Sequence, residues 1–214
     1  DGLDDLVIVE ADTVSYALNI NGKAFADLVQ VQSASGQSIP SRDNTTTVMF
    51  ADMNANGSND VVWVSSDGDV DVLDLFPVRP NLLSHLDNGL GLQSAITYGT
   101  AVAERARDGG DGWNHPLPSS TIVVTAVDTW AAASSPDLEV HDRRTMRYRN
   151  GHYDGNEKQF QGFAWSEVTT PDAEEQAGSV VTTSFDVGDG GRPHFAGLEL
   201  SSTISSEDLP LQTT

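Results

Sequence analysis

The chain contains no cysteine, so disulfides, thiolate metal centres and cysteine nucleophiles are all excluded. It has only two lysines, Lys23 and Lys158, and 11 basic side chains against 32 acidic ones, for a formal charge of −21. A field of that sign repels phosphate backbones and anionic membrane surfaces, which excludes nucleic acid as a partner. It suits cations, basic partners or a salty medium, and it carries no information about fold. No apolar run approaches the roughly 20 residues of a membrane-spanning helix, so no membrane insertion by this segment is expected. Asp1-Gly2-Leu3-Asp4-Asp5 is unlike a secretory signal.

Catalytic motifs are missing as well. There is no G-x-S-x-G elbow, P-loop, G-x-G-x-x-G after a strand, or H-E-x-x-H. The five histidines, His85, His115, His141, His152 and His194, show no metal-ligand spacing and read as surface or core residues. Acidic residues are so abundant that a glycosidase-like carboxylate pair could be chosen at will, which deprives any such pair of meaning. The expectation is a chain that is not an enzyme.

What is present is a β pattern. The 214 residues, 38% of them hydrophobic, suffice for one large or two small domains. Nearly every apolar run is short, β-branched and bounded by Gly, Asn, Asp, Ser or Pro. This predicts strands near 6–10, 14–20, 47–51, 61–65, 70–75, 95–103, 121–130, 145–150, 160–169, 180–185 and 198–204, with no long amphipathic helix among them. Asn21-Gly22 and Asp67-Gly68 are hairpin turns that need positive φ. Residues 108–112 read as a tight or flexible loop, and 131–136 and 171–178 as exposed hairpin tips. Pro77 and Pro80 cannot both sit in a central strand and mark a boundary, giving domains of residues 1–80 and 81–214.

The most informative segment is Asp52-Met53-Asn54-Ala55-Asn56-Gly57-Ser58-Asn59-Asp60, followed at once by Val61-Val62-Trp63-Val64. Alternating oxygen side chains in a tight turn converge, Gly57 allows the chain to reverse, and Asp60 closes the shell. Asp52, Asn54, Asn56, Ser58 and Asp60 are the candidate metal ligands, and calcium is the natural ion for such hard oxygens. An EF-hand is excluded, because Trp63 stands where its bidentate Glu belongs. With only Asp52 and Asp60 charged, affinity should be weak. The competing reading is that these side chains cap the turn with no ion. Asp1–Val9 aligns with Asn56–Val64 at a constant offset of 55, so the chain is expected to start within a repeat and the natural protein to extend upstream. Strand pairs preceded by an acidic loop and recurring at this spacing are what propeller blades look like in sequence; a closed ring needs at least four.

In the second region, Tyr148-Arg149-Asn150-Gly151-His152-Tyr153-Asp154-Gly155 and Phe160-Gln161-Gly162-Phe163 read as a strand, a turn punctuated by Gly151 and Gly155, and a second strand. Gly155 is expected to need positive φ, making Gly155→Val poorly tolerated. This segment resembles the Y-x-x-G-x-Y-D-G … F-x-G-F signature of the B component of Tc insecticidal toxin complexes and of related SpvB and Rhs-type proteins. Leu86–Gly91 with Tyr98, and Phe185–Gly188 with Phe195-Ala196-Gly197, are similar to two further stretches of that family, with Asp186 in place of its usual His. The Asp52–Asp60 loop resembles the family's FG-GAP or VCBS repeats.

The resemblance implies an all-β fold: the end of a β-propeller, then antiparallel strands of an Rhs-like β-shell. It implies a non-enzymatic structural segment of a large secreted protein that encloses a separate toxic polypeptide. Its partners would be other parts of the same protein or other toxin-complex subunits. The alternative is a calcium-stabilised propeller for adhesion or glycan recognition, which would expose aromatics. A shell would instead pack Tyr148, Tyr153, Phe160 and Phe163 into the sheet.

Overall fold

The computed structural model describes residues 3–32, 38–77, 79–109, 113–118, 120–131, 140–171, 178–206 and 209–213. The expected tips at 131–136 and 171–178, and most of the 108–112 loop, lie largely outside them. The chain forms two compact units, Asp1–Asn81 and Leu82–Thr214.

The first unit opens with five short strands: β1 (Leu6–Val9), β2 (Val14–Ala17), β3 (Asn19–Ile20), β4 (Ala24–Phe25) and β5 (Val29–Gln30). Three more follow, β6 (Thr47–Ala51), β7 (Asp60–Val64) and β8 (Val70–Leu73). They pair antiparallel into a sheet β1-β2-β5, a β3-β4 ribbon and a sheet β6-β7-β8. The expected turns are in place: Asn21 and Gly22 have φ of 55° and 67°, and Gly68 has φ of 91°. The expected strand over 14–20 breaks after Ala17, where the chain leaves one sheet and starts the ribbon. Neither three-stranded sheet closes on itself.

The core of this unit is Val14, Val61 and Trp63, with Val7, Val9, Val48 and Leu73 packed around it. Each fully buried valine contributes on the order of 1.5–3 kcal/mol. The two sheets therefore meet through Val7 and Val9 on one side and Val61 and Trp63 on the other. The offset of 55 makes this contact head to tail. Leu6 and Ile8 are the repeat equivalents of Val61 and Trp63, yet they lie on the opposite, outer face of their sheet, 41% and 37% exposed. The equivalents of Val7 and Val9 are Val62 and Val64, on the opposite face of the other sheet, where Val62 pairs with Met49 and Val72 and is itself buried between them. One repeat thus presents its second face to its neighbour's first face.

The second unit is one antiparallel sheet in chain order. Its strands are β9 (His85–Asp87), β10 (Leu92–Thr100), β11 (Ile122–Ala131), β12 (Val140–Asp154), β13 (Gln159–Thr170), β14 (Ser179–Phe185), β15 (Glu199–Ser206) and β16 (Leu209–Thr213). Register shifts at Thr97/Tyr98, His152/Tyr153, Ser184/Phe185 and Ile204/Ser206 put irregularities into four of these pairings, where local twist increases. Several elements differ from expectation. β9 and β16 lie outside the predicted strands, β12 runs well beyond the expected 145–150, and the expected strand over 95–103 ends at Thr100, whose hydroxyl caps helix α1 (Ala101–Arg107) by accepting the Ala103 amide at 3.1 Å.

The helix has a clear job. β12 pairs with β11 only up to Thr145, but with β13 all the way to Asp154, so among the described residues its outer half has no strand on one side. α1 covers that edge: Glu104, 2% exposed, accepts the Tyr148 amide at 3.1 Å, and Asp108 at the helix end pairs with Arg147 and Arg149 at 3.3 and 3.0 Å. Residues 113–118 continue the cover, with the Asn114 amide donating to Asn150 Oδ1 at 2.9 Å.

Candidate functional site

The loop before β7 brings all five predicted ligand residues into one turn. Asp52 Oδ2 accepts the Gly57 amide at 2.9 Å, Asn54 Oδ1 the Asn56 amide at 2.9 Å, and Asn56 Oδ1 the Ser58 amide at 2.7 Å. Asp60 Oδ2 reaches back to the Met53 amide at 2.8 Å. Ser58 thus enters through its backbone N–H. Ala55 and Gly57 take φ of 60° and 86°, which gives the reversal the spacing predicted.

These bonds are those of a capped turn, but they leave something over. Asp60 is fully buried, and among the described residues neither its Oδ1 nor Asp52 Oδ1 has a hydrogen-bond partner. Burial pushes the Asp60 carboxyl above the ordinary carboxylate range; the Met53 amide opposes that, while the Asp74 and Asp52 carboxylates push it further up. Buried carboxylate oxygens without partners are costly unless protonated or matched by positive charge. No group of three or more His, Asp or Glu side chains among the described residues could hold a metal ion, so an ion here would rest on two carboxylates with amide and main-chain oxygens. That donor set suits calcium better than a transition metal.

Sequence reasoning missed Asp74. It stands just beyond β8, where its Oδ2 accepts the side-chain amides of Asn54 and Asn56 at 2.7 and 3.3 Å and its Oδ1 accepts the Phe76 amide at 3.1 Å. The available signal was the repeat: Asn19, 55 residues earlier, ties its own copy together, its amide N–H donating to Asp5 Oδ1 at 2.7 Å and its side chain to Asp4 O at 3.0 Å.

The signature hairpin of the second unit is packed rather than displayed. Tyr148 and Phe160 lie 5.0 and 5.1 Å from Phe163, and Trp113 meets the same ring edge-on at 6.1 Å. Tyr148, Tyr153, Phe160 and Phe163 are all half-buried. Burial raises the Tyr148 hydroxyl pKa, and the Glu104 carboxylate adds to the shift. A Cβ on Gly151 would stand 3.0 Å from Phe163 and 3.3 Å from both Leu117 and Phe160, so the glycine makes room for this cluster. The turn differs from expectation. β12 runs through Gly151 to Asp154, and the reversal occupies 155–158, where Lys158 takes the left-handed φ of 54°. Gly155 is outside that region and has nothing within 4 Å of a would-be Cβ, which removes the reason to expect Gly155→Val to be harmful.

A profile of the family described as the insecticide toxin TcdB middle/N-terminal region matches residues 21–187. The chain belongs to that family. Solved structures agree with the TcdB assignment at the level of fold. A Photorhabdus luminescens Tc holotoxin pore matches with TM-score 0.77 and 18% identity over 96% of this chain. A TcdB2–TccC3 structure and a TcdB2–TccC3–Cdc42 structure match with TM-scores of 0.75 and 0.76, each at 19% identity and again over 96%. The chain spans about 12% of the length of those structures' chains. No curated protein sequence matches it. Among the described residues, no helix is long and apolar enough to cross a membrane.

Proposed function

We propose that this chain is a non-enzymatic wall segment of a secreted, Tc-type toxin complex, part of a shell that encloses and delivers a separate toxic polypeptide. The observation that carries the reading is that TcdB2–TccC3 folds match this chain over 96% of its length. The partners are then the rest of the same protein, a TccC3-like chain and further subunits of the complex. The packed state of Tyr148, Phe160 and Phe163 favours a wall over an aromatic glycan platform. The test is to co-express the full-length protein with its TccC3-like chain and treat the purified complex with protease. Co-purification and protection of the enclosed polypeptide support the reading. Failure of the two to associate, or turnover of a small compound by this chain, would overturn it.

For the first unit we infer two blades of a β-propeller of the FG-GAP or VCBS kind. Support comes from the head-to-tail contact of its two sheets. A heterologous interface leaves one unmatched face at each end, here Leu6 and Ile8 on one sheet and Met49 and Val72 on the other, and it is satisfied by further copies that close a ring. The acidic loop is read as a calcium site that fastens the second blade, on the strength of the two buried oxygens of Asp52 and Asp60.

A further inference from the structure

The loop's cation site, as read above, has a part that its own nine residues do not contain. We propose that Asp74 is the positioning residue of this site: its carboxylate holds the Asn54 and Asn56 amides by their nitrogens, so that only their oxygens are offered to the cation, and it adds a third negative charge nearby. The inference rests on the calcium reading of the loop and goes beyond it, since Asp74 lies 14 residues past Asp60, at the end of a different strand.

The geometry is specific. A side-chain amide that turns over presents N–H groups where a cation needs an oxygen, and one carboxylate oxygen of Asp74 engages both amide nitrogens, at 2.7 and 3.3 Å. The amide oxygens face the other way, onto the Asn56 and Ser58 backbone amides inside the turn, with lone-pair capacity to spare. The Asn56 amide nitrogen also reaches Phe76 O at 3.3 Å, so the chain leaving β8 grips the loop at two points. The acidic residues do not define the site unaided. Asp60 is fully buried, and among the described residues its Oδ1, like Asp52 Oδ1, is left without a hydrogen-bond partner, which is the observation that calls for a cation. Asp74 Oδ1 is already taken by the Phe76 amide, so its role is to orient ligands rather than to join them. Outer partners of this kind govern metal affinity by holding the ligating atoms in place.

The test is calorimetric titration of the chain with calcium chloride, alongside thermal melts in EDTA, for the parent, Asp74→Asn, Asp74→Ala and Asp71→Asn. Asp71→Asn removes the same charge three residues away and separates general electrostatics from positioning. The expected result is that both Asp74 variants weaken calcium binding about 10- to 100-fold, while Asp71→Asn stays within about twofold of the parent. A purely structural role would lower the EDTA melting temperature and leave the calcium Kd unchanged, and that outcome overturns the proposal while the calcium reading stands. Equal weakening by Asp71→Asn would overturn it too. Absence of calcium binding by the parent removes the calcium reading itself and this proposal with it. If Asp74→Ala does not fold, Asp74→Asn, which keeps the size of the side chain, decides the matter.

Discussion

The carboxylate of Glu104 accepts the backbone N–H of Tyr148 at 3.1 Å, joining a seven-residue helix to a strand 44 residues further along the chain. The bond lies where β12 has outrun β11, so without Glu104 the Tyr148 amide would be left without its acceptor at a covered edge. Glu104→Ala should therefore cost about 3 kcal/mol in urea denaturation, and Glu104→Gln, which keeps an acceptor, clearly less. Equal losses for the two would point to simple packing.

Calcium should raise the melting temperature of the first unit. At about 100 times the Kd the gain is about 2.7 kcal/mol, or on the order of 10 °C for a unit of this size. Asp52→Ala should abolish it. The absence of a shift at millimolar calcium would leave the loop as a capped turn.

The outer face carrying Met49 and Val72 should behave differently in isolation and in the parent protein. Both side chains are nearly half exposed, so Met49→Glu and Val72→Lys should each change the stability of this chain by no more than about 0.5 kcal/mol. In the full-length protein, where a further blade would bury them, the same changes should lower the melting temperature by several degrees. No effect there would remove the blade reading.

Gly188 should be a sensitive glycine, because both its backbone conformation and its surroundings oppose a side chain. Its φ is 69°, and a Cβ would stand 2.9 Å from Pro193 Cα and 3.1 Å from Arg192 O, both backbone. Gly188→Ala should cost about 2–4 kcal/mol, whereas Gly155→Ala should stay within about 0.5 kcal/mol. Thermal melts of the two variants give the comparison directly.

Asp43 supplies a pH signature. The Thr45 hydroxyl and amide and the Thr46 hydroxyl donate to its carboxylate and hold its pKa down at about 2, against an ordinary 3.8. A carboxylate depressed in the folded state adds stability that is fully present above the unfolded value of 3.8 and is lost as pH falls through about 2. The stability gap between the parent and Asp43→Ala should be flat from pH 7 to about 5 and close between about 4 and 2. Carbon-detected NMR titration of the Asp43 carboxyl checks the value itself.

Much of the fold was legible because strands and turns are written locally. Val61-Val62-Trp63-Val64 with Asp67-Gly68 specifies a buried strand and its hairpin by composition alone, and the acidic loop before it declares its own convergence by spacing. Helix α1 was not legible, because Ala101-Val102-Ala103 continues the two-residue alternation of β10, and only Thr100 as a cap tells the two apart. The extent of β12 was hidden by Gly151, which reads as a turn but serves to admit Phe163 and Leu117 beside the strand. Asp74 was missed for a different reason: apart from the repeat offset to Asn19, its role depends on a pairing between β7 and β8 that brings a distant strand end over the loop.

The strictly consecutive order of β9 through β16 has a consequence for how the chain is made. Each strand needs only the one already synthesised, so the sheet can grow by addition at its newest edge as it emerges from the ribosome, without waiting for a remote partner. A very large protein assembled this way risks fewer misjoined intermediates than one whose early strands must stay open for late arrivals.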